Sequence, residues 1–197
     1  RCSGVLNGKD ILISFNGWEF FRREPWHMPP GRITDMLYPL GTSVANTDSV
    51  PLLALALKPF DRVLPDCFQY FGFFFVISAV LTGGFAALVM NEVSESWAYR
   101  LLGTALLTWQ GTFPSYDHPG RASFYWLSFA SIWLYLRAER RSWSRRELYL
   151  WLLFIALGAG SNPYVCASVL AFCIAGLVRR WWPDRVATLL QTTIRFS

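Results

Sequence analysis

The sequence predicts an all-α, polytopic helical membrane protein with about five membrane segments. Of its 197 residues, 53% are hydrophobic, 17% aromatic and only 16% charged, whereas a soluble domain usually carries about 25% charged residues. The mean hydropathy of +0.29 points the same way. Several long uncharged runs also approach the length that a helix needs to cross about 30 Å of hydrocarbon.

Hydropathy predicts the membrane segments at residues 70–90, 97–113, 122–136, 148–160 and 164–178. The last two are short and flank Ser161-Asn162-Pro163, where proline interrupts the helical hydrogen-bond ladder. Two short or tilted helices that meet at an outward turn fit this pattern best. A re-entrant pair and one long kinked helix are the alternatives.

Two basic groups set the predicted orientation. Residues 137–147 hold five arginines, and Arg179, Arg180 and Arg185 form the next group. Because short basic loops stay in the cytoplasm, the chain between the groups forms a hairpin, and residues 1–68 lie outside. The arginines would also contact anionic lipid. The net charge of +5 is therefore explained without a nucleic-acid partner.

The predicted organisation has three parts in the cytoplasmic (inner) membrane. Residues 1–68 form an extracytoplasmic loop with interface helices, residues 69–178 a transmembrane bundle, and residues 179–197 a cytoplasmic-side segment from which the chain continues. The sequence lacks an initiator Met and begins and ends without a cap or tail. We therefore expect a piece of a longer protein.

The outer region contains two patterns of interest. Asp48 precedes Pro51 and the apolar run LLALAL, which is typical of a helix N-cap, since a side-chain oxygen accepts the first free backbone N–H groups. The same carboxylate could belong to an outward acidic site, and the two roles are compatible. The stretch WEFFRREPW at residues 18–26 suits an amphipathic helix at headgroup depth, either as a plain anchor or with its arginines on lipid phosphates.

Histidine and cysteine positions give weaker signals. His27 and His118 do not have metal-ligand spacing with cysteines, so no zinc site is predicted. Cys2 and Cys67 could pair outside the membrane, although sequence alone leaves this open.

Four stretches together resemble a family of bacterial multi-spanning membrane proteins of unknown function related to the GT-C glycosyltransferases. They are GWEFFRREPW, YPLGTSVANTDSVPLLALALKPFDRVLPDCFQYFG, DHPGRASFYWLSFASIWLYLR and SNPYVCASVLAF, in the expected order. The resemblance implies a GT-C-like architecture. It also implies transfer of a sugar from a polyprenyl-phosphate carrier to an acceptor on the outer face of the cytoplasmic membrane.

The resemblance further implies roles for single residues. Asp10 occupies the place of the base that activates the acceptor hydroxyl. Asp48 resembles a second acidic position, which would orient the acceptor or bind a divalent cation. His118, beside Asp117, resembles a histidine that follows the second span. Ser14 stands where the family is expected to carry histidine or another polar residue.

Binding of the carrier phosphate is expected from groups near the outer face, because an arginine pairs with two phosphate oxygens at once. The candidate substrate-binding residues are Arg22, Arg23, Lys58, Arg121 and Asn162.

The second hypothesis is a non-catalytic transmembrane subunit that packs within a larger membrane protein complex, which ten tryptophans suit nearly as well. An enzyme should bring Asp10, Asp48 and His118 into one solvent-accessible cavity, whereas a subunit would not. A transporter ranks last, because the predicted segments carry no ionisable group at mid-membrane.

Overall fold

The computed structural model describes residues 9–112, 125–140 and 144–181, in which the regular secondary structure is helical apart from one short β-hairpin. In chain order the elements are α1 (Lys9–Arg23), β1 (Arg32–Ile33), β2 (Thr42–Ser43), α2 (Pro51–Leu57), a 3₁₀ turn (Lys58–Phe60), α3 (Phe71–Val93), α4 (Trp97–Thr112), α5 (Tyr125–Arg140), α6 (Arg145–Ala159) and α7 (Pro163–Trp181). The strands pair antiparallel, with Arg32 opposite Ser43 and Ile33 opposite Thr42.

Residues 9–70, which we call the head, pack around α1. This helix buries Ser14, Trp18 and Phe21, positions that recur on one face at helical spacing. Ile33 of the hairpin and Ala54 of α2 are also buried. The apolar residues among these belong to one continuous core, which also includes Leu127 of α5 and Trp151 of α6.

Helices α3 to α7 form what we call the helical layer. Gly83 of α3 faces Thr108 of α4, and Gly103 near the start of α4 faces Met90 near the end of α3. These pairings show that α3 and α4 run antiparallel. The glycines let the two helices approach closely.

The remaining helices pack in a fixed register. Ser128 of α5 and Ser168 of α7 share a hydrogen bond of 2.9 Å, early in both helices. Helices α6 and α7 form a tight hairpin, in which Gly158 lies against the backbone of Cys166. The residue before α6, Ser144, forms a capping box with Glu147, which satisfies backbone N–H groups at the helix start.

The head contacts one end of the helical layer. The Leu52 amide at the start of α2 donates to the Gly160 carbonyl at 2.9 Å, and the Tyr70 hydroxyl before α3 donates to the Ser49 carbonyl. The start of α3, the end of α6 and the start of α7 therefore all lie beside the head. The opposite end holds the end of α5 and the start of α6, where Arg137 and Glu147 form an ion pair at 3.6 Å.

The prediction of a polytopic protein with about five membrane segments is wrong. Among the residues that the structure describes, Phe71–Val93 is the one helix long and apolar enough to cross a membrane, judged by length and composition alone. Helices α4, α5 and α6 have 16, 16 and 15 residues. Their described parts are therefore about 24 Å long or less, against a hydrocarbon thickness of about 30 Å. The 19 residues of α7 come closer to that thickness, but α7 is not among the helices apolar enough over a full span.

Candidate functional site

The structure describes the side chains of some predicted site residues and not of others. Described side chains are those of Arg22, Arg23, Asp48, Lys58 and Asn162. Asp10 lies on α1, but its side chain is outside the described set, and His118 and Arg121 lie outside the described residues altogether.

Asp48 occupies an exposed corner of the loop between β2 and α2. Its backbone φ is 51°, in the left-handed region that residues other than glycine seldom adopt. Asp48 does not cap α2, contrary to one of the two roles predicted for it. The N-cap residue is Val50, which is itself left-handed, and no side chain bonds to this helix start.

Buried hydrogen bonds hold the Asp48 loop on both sides of the carboxylate. The Ser49 hydroxyl donates to the Ser14 carbonyl at 2.7 Å, and the Thr47 hydroxyl donates to the Val44 carbonyl at 3.1 Å. Burial raises the pKa of the Tyr70 phenol, so this hydroxyl stays a neutral donor to the Ser49 carbonyl. The loop is thereby fixed to α1 and to the residue that precedes α3.

Close packing against α1 adds to these bonds. A Cβ atom at Gly17 would lie 2.2 Å from Thr47 Oγ1 and 2.5 Å from Ser49 Oγ. Only a residue without a side chain leaves the loop room to approach α1 this closely.

Arg22 is buried and already fully occupied. Its side chain is 4% exposed, with Nε 2.5 Å from Asp61 Oδ1. Nη1 donates to the carbonyls of Pro65 at 3.0 Å and Asp66 at 3.2 Å. Arg22 therefore fixes the segment after α2 to α1, and none of these described contacts points its guanidinium toward an outside phosphate.

The other two predicted cations differ from each other in exposure. Lys58 is buried, and its Nζ donates to the Phe21 carbonyl at 2.7 Å and lies 3.9 Å from the Phe21 ring centroid. Desolvation lowers the pKa of Lys58, although Glu24 and Asp61 act in the opposite direction. Arg23 is exposed and pairs with Glu19 at 3.1 Å.

Asn162 belongs to the turn between α6 and α7. It is buried, and its Oδ1 accepts from the Tyr164 amide at 2.9 Å, so it stabilises the start of α7. This turn meets the head through the hydrogen bond from Leu52 to Gly160. The structure thus brings the Asp48 loop and the Asn162 turn to the same end of the helical layer.

A buried acid in the head was missed by sequence reasoning. Glu24 Oε1 accepts from the Thr34 amide at 2.6 Å and lies 3.5 Å from His27 Nε2, while its Oε2 has no hydrogen-bond partner among the described residues. Glu24 and His27 follow the end of α1 in non-helical backbone, where their spacing predicts no contact.

Metal binding finds no support within the described ranges, where no group of three or more His, Cys, Asp and Glu side chains is placed to hold an ion. Cys67 is disulfide-bonded, whereas Cys166 and Cys173 are free. Cys2, its predicted partner, lies outside the described residues.

The chemical group that these contacts present to the outside is the exposed Asp48 carboxylate, on a loop that is held in place. Its backbone is anchored to α1 and to Tyr70. The two buried cations are engaged by the protein itself.

Comparison with known proteins gives a match to a family model over residues 2–196. No curated protein and no solved structure matches the chain. The family description carries no reaction or ligand, so the resemblance to GT-C glycosyltransferases stays a prediction. Because the match extends over nearly the whole sequence, the chain belongs to the family described as Domain of unknown function (DUF6311).

Proposed function

We propose that this chain is a membrane-anchored, non-catalytic subunit, in which α3 crosses the bilayer and the helical layer packs with other membrane subunits. The observation that carries this proposal is the distribution of side chains on α3 and α4. Most of the buried residues of α3 are small or polar, and the most exposed residues of α3 and α4 are large and apolar. Water-soluble helices have the opposite distribution.

Helix α3 displays this pattern most clearly. Its buried residues include Ser78, Thr82 and Ala86, whereas Phe73 is 70% and Val80 69% exposed. Only 22% of its most apolar stretch is buried. A core helix of a soluble protein would bury most of that stretch, so α3 fits a helix that is surrounded by hydrocarbon.

Helix α4 continues the same surface. Thr104 and Thr108 are half-buried toward α3, with the Thr108 hydroxyl bonded to the Thr104 carbonyl at 2.7 Å. Leu102, Leu106 and Trp109 are exposed and recur at helical spacing on the outer face. An apolar surface of this extent is unusual on a soluble monomer and marks contact with lipid or with partner helices.

Membrane insertion is tested with the full chain expressed in bacteria and membranes washed with alkaline carbonate. We expect the chain to stay in the membrane pellet. Val80→Lys should reduce the inserted fraction, because a charge near the middle of a spanning helix costs about 2.5–3.5 kcal/mol. The matched control is Val63→Lys, at an exposed position of the head, which should leave insertion unchanged.

Release of the wild-type chain by carbonate would contradict the anchoring. An increase in soluble, folded protein for Val80→Lys would contradict it as well, since that result is expected for an apolar patch that faces water.

A second candidate function, sugar transfer from a polyprenyl-phosphate carrier, is favoured by Asp48. Left-handed backbone at residues other than glycine clusters at functional sites, and Asp48 has such a backbone. Both of its neighbours, Thr47 and Ser49, are held by buried hydrogen bonds. Asp48 would act with Asp10 and His118, as the resemblance implies.

The enzyme hypothesis is tested in membranes that contain the full chain and a panel of polyprenyl-phosphate sugars, with release of the carrier phosphate as the readout. Turnover that Asp48→Asn lowers at least about a hundredfold, while Asp35→Asn at another exposed position of the head does not, would support it. Equal rates for the two variants would exclude Asp48 from the reaction.

A further inference from the structure

Arginines that are separated in sequence meet at the end of the helical layer opposite the head. Arg137 lies in the last turn of α5, Arg145 and Arg146 open α6, and Arg179 lies near the end of α7. We call these four residues the basic end. They come from three helix ends, and the fold rather than one loop assembles them.

Side-chain contacts hold the basic end together. Arg137 pairs with Glu147 across the gap between α5 and α6 at 3.6 Å. Arg179 donates to the Tyr135 hydroxyl at 3.2 Å, which joins α7 to α5. Arg145 and Arg146 are exposed. Glu147 pairs with Arg137, and Glu92 and Glu95 also lie at this end, where α3 finishes. The four arginines still outnumber these three acidic residues.

The basic end borders exposed apolar and aromatic surface. Tyr149 is 68% exposed on α6, and Ile174 and Val178 are exposed on α7. The Arg137 guanidinium lies 5.2 Å from the Trp133 ring centroid. Aromatic rings beside cations, next to an apolar band, are the arrangement found at the depth of lipid headgroups.

We propose that the basic end is a docking surface for the phosphate groups of anionic phospholipids in one leaflet. Charge complementarity selects this partner, because guanidinium groups bind phosphate oxygens through paired N–H donors. The adjoining apolar surface accommodates the acyl chains of the same lipids. This inference rests on the proposed membrane anchoring and names the lipid class that the anchored chain prefers.

The test measures binding of a fluorescent phosphatidylglycerol to the full chain purified in a neutral detergent. Insertion is checked separately, by reconstituting the same chain into phosphatidylcholine vesicles. The double variant Arg145→Gln/Arg146→Gln should bind the probe roughly tenfold more weakly. Arg145→Lys/Arg146→Lys should keep most of the affinity. The matched control, Arg32→Gln/Arg62→Gln, removes the same charge from exposed positions of the head and should bind like the wild type.

Equal weakening in the two glutamine variants would overturn this inference, because the effect would then follow net charge alone. Displacement of the probe by an equal concentration of inorganic phosphate would overturn it too, since the site would then be one for free phosphate. In both cases insertion into phosphatidylcholine vesicles leaves the anchoring intact. Failure to enter any vesicle would overturn the anchoring and the lipid preference together.

Discussion

Arg22 and Lys58 are buried cations whose hydrogen bonds join α1 to the segment that follows α2. Both donate to backbone carbonyls that are distant in sequence. Arg23, one residue from Arg22, is exposed. In the head, the two buried cationic side chains therefore serve contacts within the protein.

Replacing Arg22 should destabilise the head. Arg22→Met removes the charged donor to Asp61, Pro65 and Asp66, and we expect a loss of about 1.5–3 kcal/mol in the free energy of unfolding. Arg22→Lys should recover only part of it, because an ammonium cannot reproduce the planar fork. Arg23→Gln is the control and should cost about 0.5 kcal/mol or less. Denaturant unfolding in detergent, followed by tryptophan fluorescence, measures all three.

Lys58 should make stability depend on pH in the alkaline range. Desolvation lowers its pKa in the folded state below the ordinary value of 10.5, so between the two values the unfolded chain binds more protons than the folded chain. The contribution of Lys58 to stability therefore rises with pH through that window. Lys58→Met should remove this rise, which is measured as the difference in unfolding free energy between wild type and variant from neutral to alkaline pH. A difference that stays constant with pH would contradict the role given to Lys58.

The burial of Arg22 could have been predicted from the sequence, but its partners could not. Trp18, Phe21 and Arg22 share one helical face, so their spacing could have predicted that Arg22 is buried and Arg23 is not. The partners of Arg22 could not be predicted in the same way. They are the Asp61 carboxylate and the carbonyls of Pro65 and Asp66, about forty residues along the chain, and no local sequence pattern marks which of these groups a buried guanidinium will find.

The contact between α1 and the Asp48 loop decides the architecture of the head at the scale of elements. Gly17 allows that contact, Ser49 bonds across it, and Tyr70 extends it to the start of α3. The position of Asp48 thus follows from three segments that are distant in sequence.

Substitution of Gly17 should disturb this contact specifically. Gly17→Ala places a methyl group within 2.5 Å of two side-chain oxygens, and such overpacking costs about 1–3 kcal/mol. Gly84→Ala is the matched control in α3, since its Cβ would meet nothing within 4 Å. It should be neutral or slightly stabilising, because alanine favours helix more than glycine does. A loss at Gly17 no larger than that at Gly84 would show that the close approach is not required.

Helix positions were largely predictable from the sequence, whereas the exact helix starts were predicted less well. The described helices α3 to α7 lie close to the predicted apolar segments. The pattern Ser144-Arg145-Arg146-Glu147 is a capping box that could have fixed the start of α6. The cap assigned to Asp48 failed because the left-handed backbone at Asp48 and Val50 redirects the chain, and local sequence rules do not predict that geometry.

For the whole molecule, hydropathy overestimated the number of membrane segments for a physical reason. It counts apolar residues in a window, and the described parts of α4, α5 and α6, at 15 or 16 residues, reach the composition of a span without reaching its length. What composition cannot provide is the direction of each side chain. The fold provides it, by placing Ser78 and Thr82 inside and Phe73 and Val80 outside.

Membrane anchoring requires that the outward face of α3 lies in hydrocarbon. We would measure it by attaching nitroxide labels singly at Val76→Cys, Val80→Cys and Val63→Cys in the full chain, with the free cysteines Cys166 and Cys173 replaced by serine. In phosphatidylcholine vesicles, the labels on α3 should be accessible to oxygen and protected from a water-soluble nickel complex, whereas the label at position 63 should be accessible to nickel. Free access of nickel to positions 76 and 80 would place α3 in water and contradict the proposed membrane anchoring.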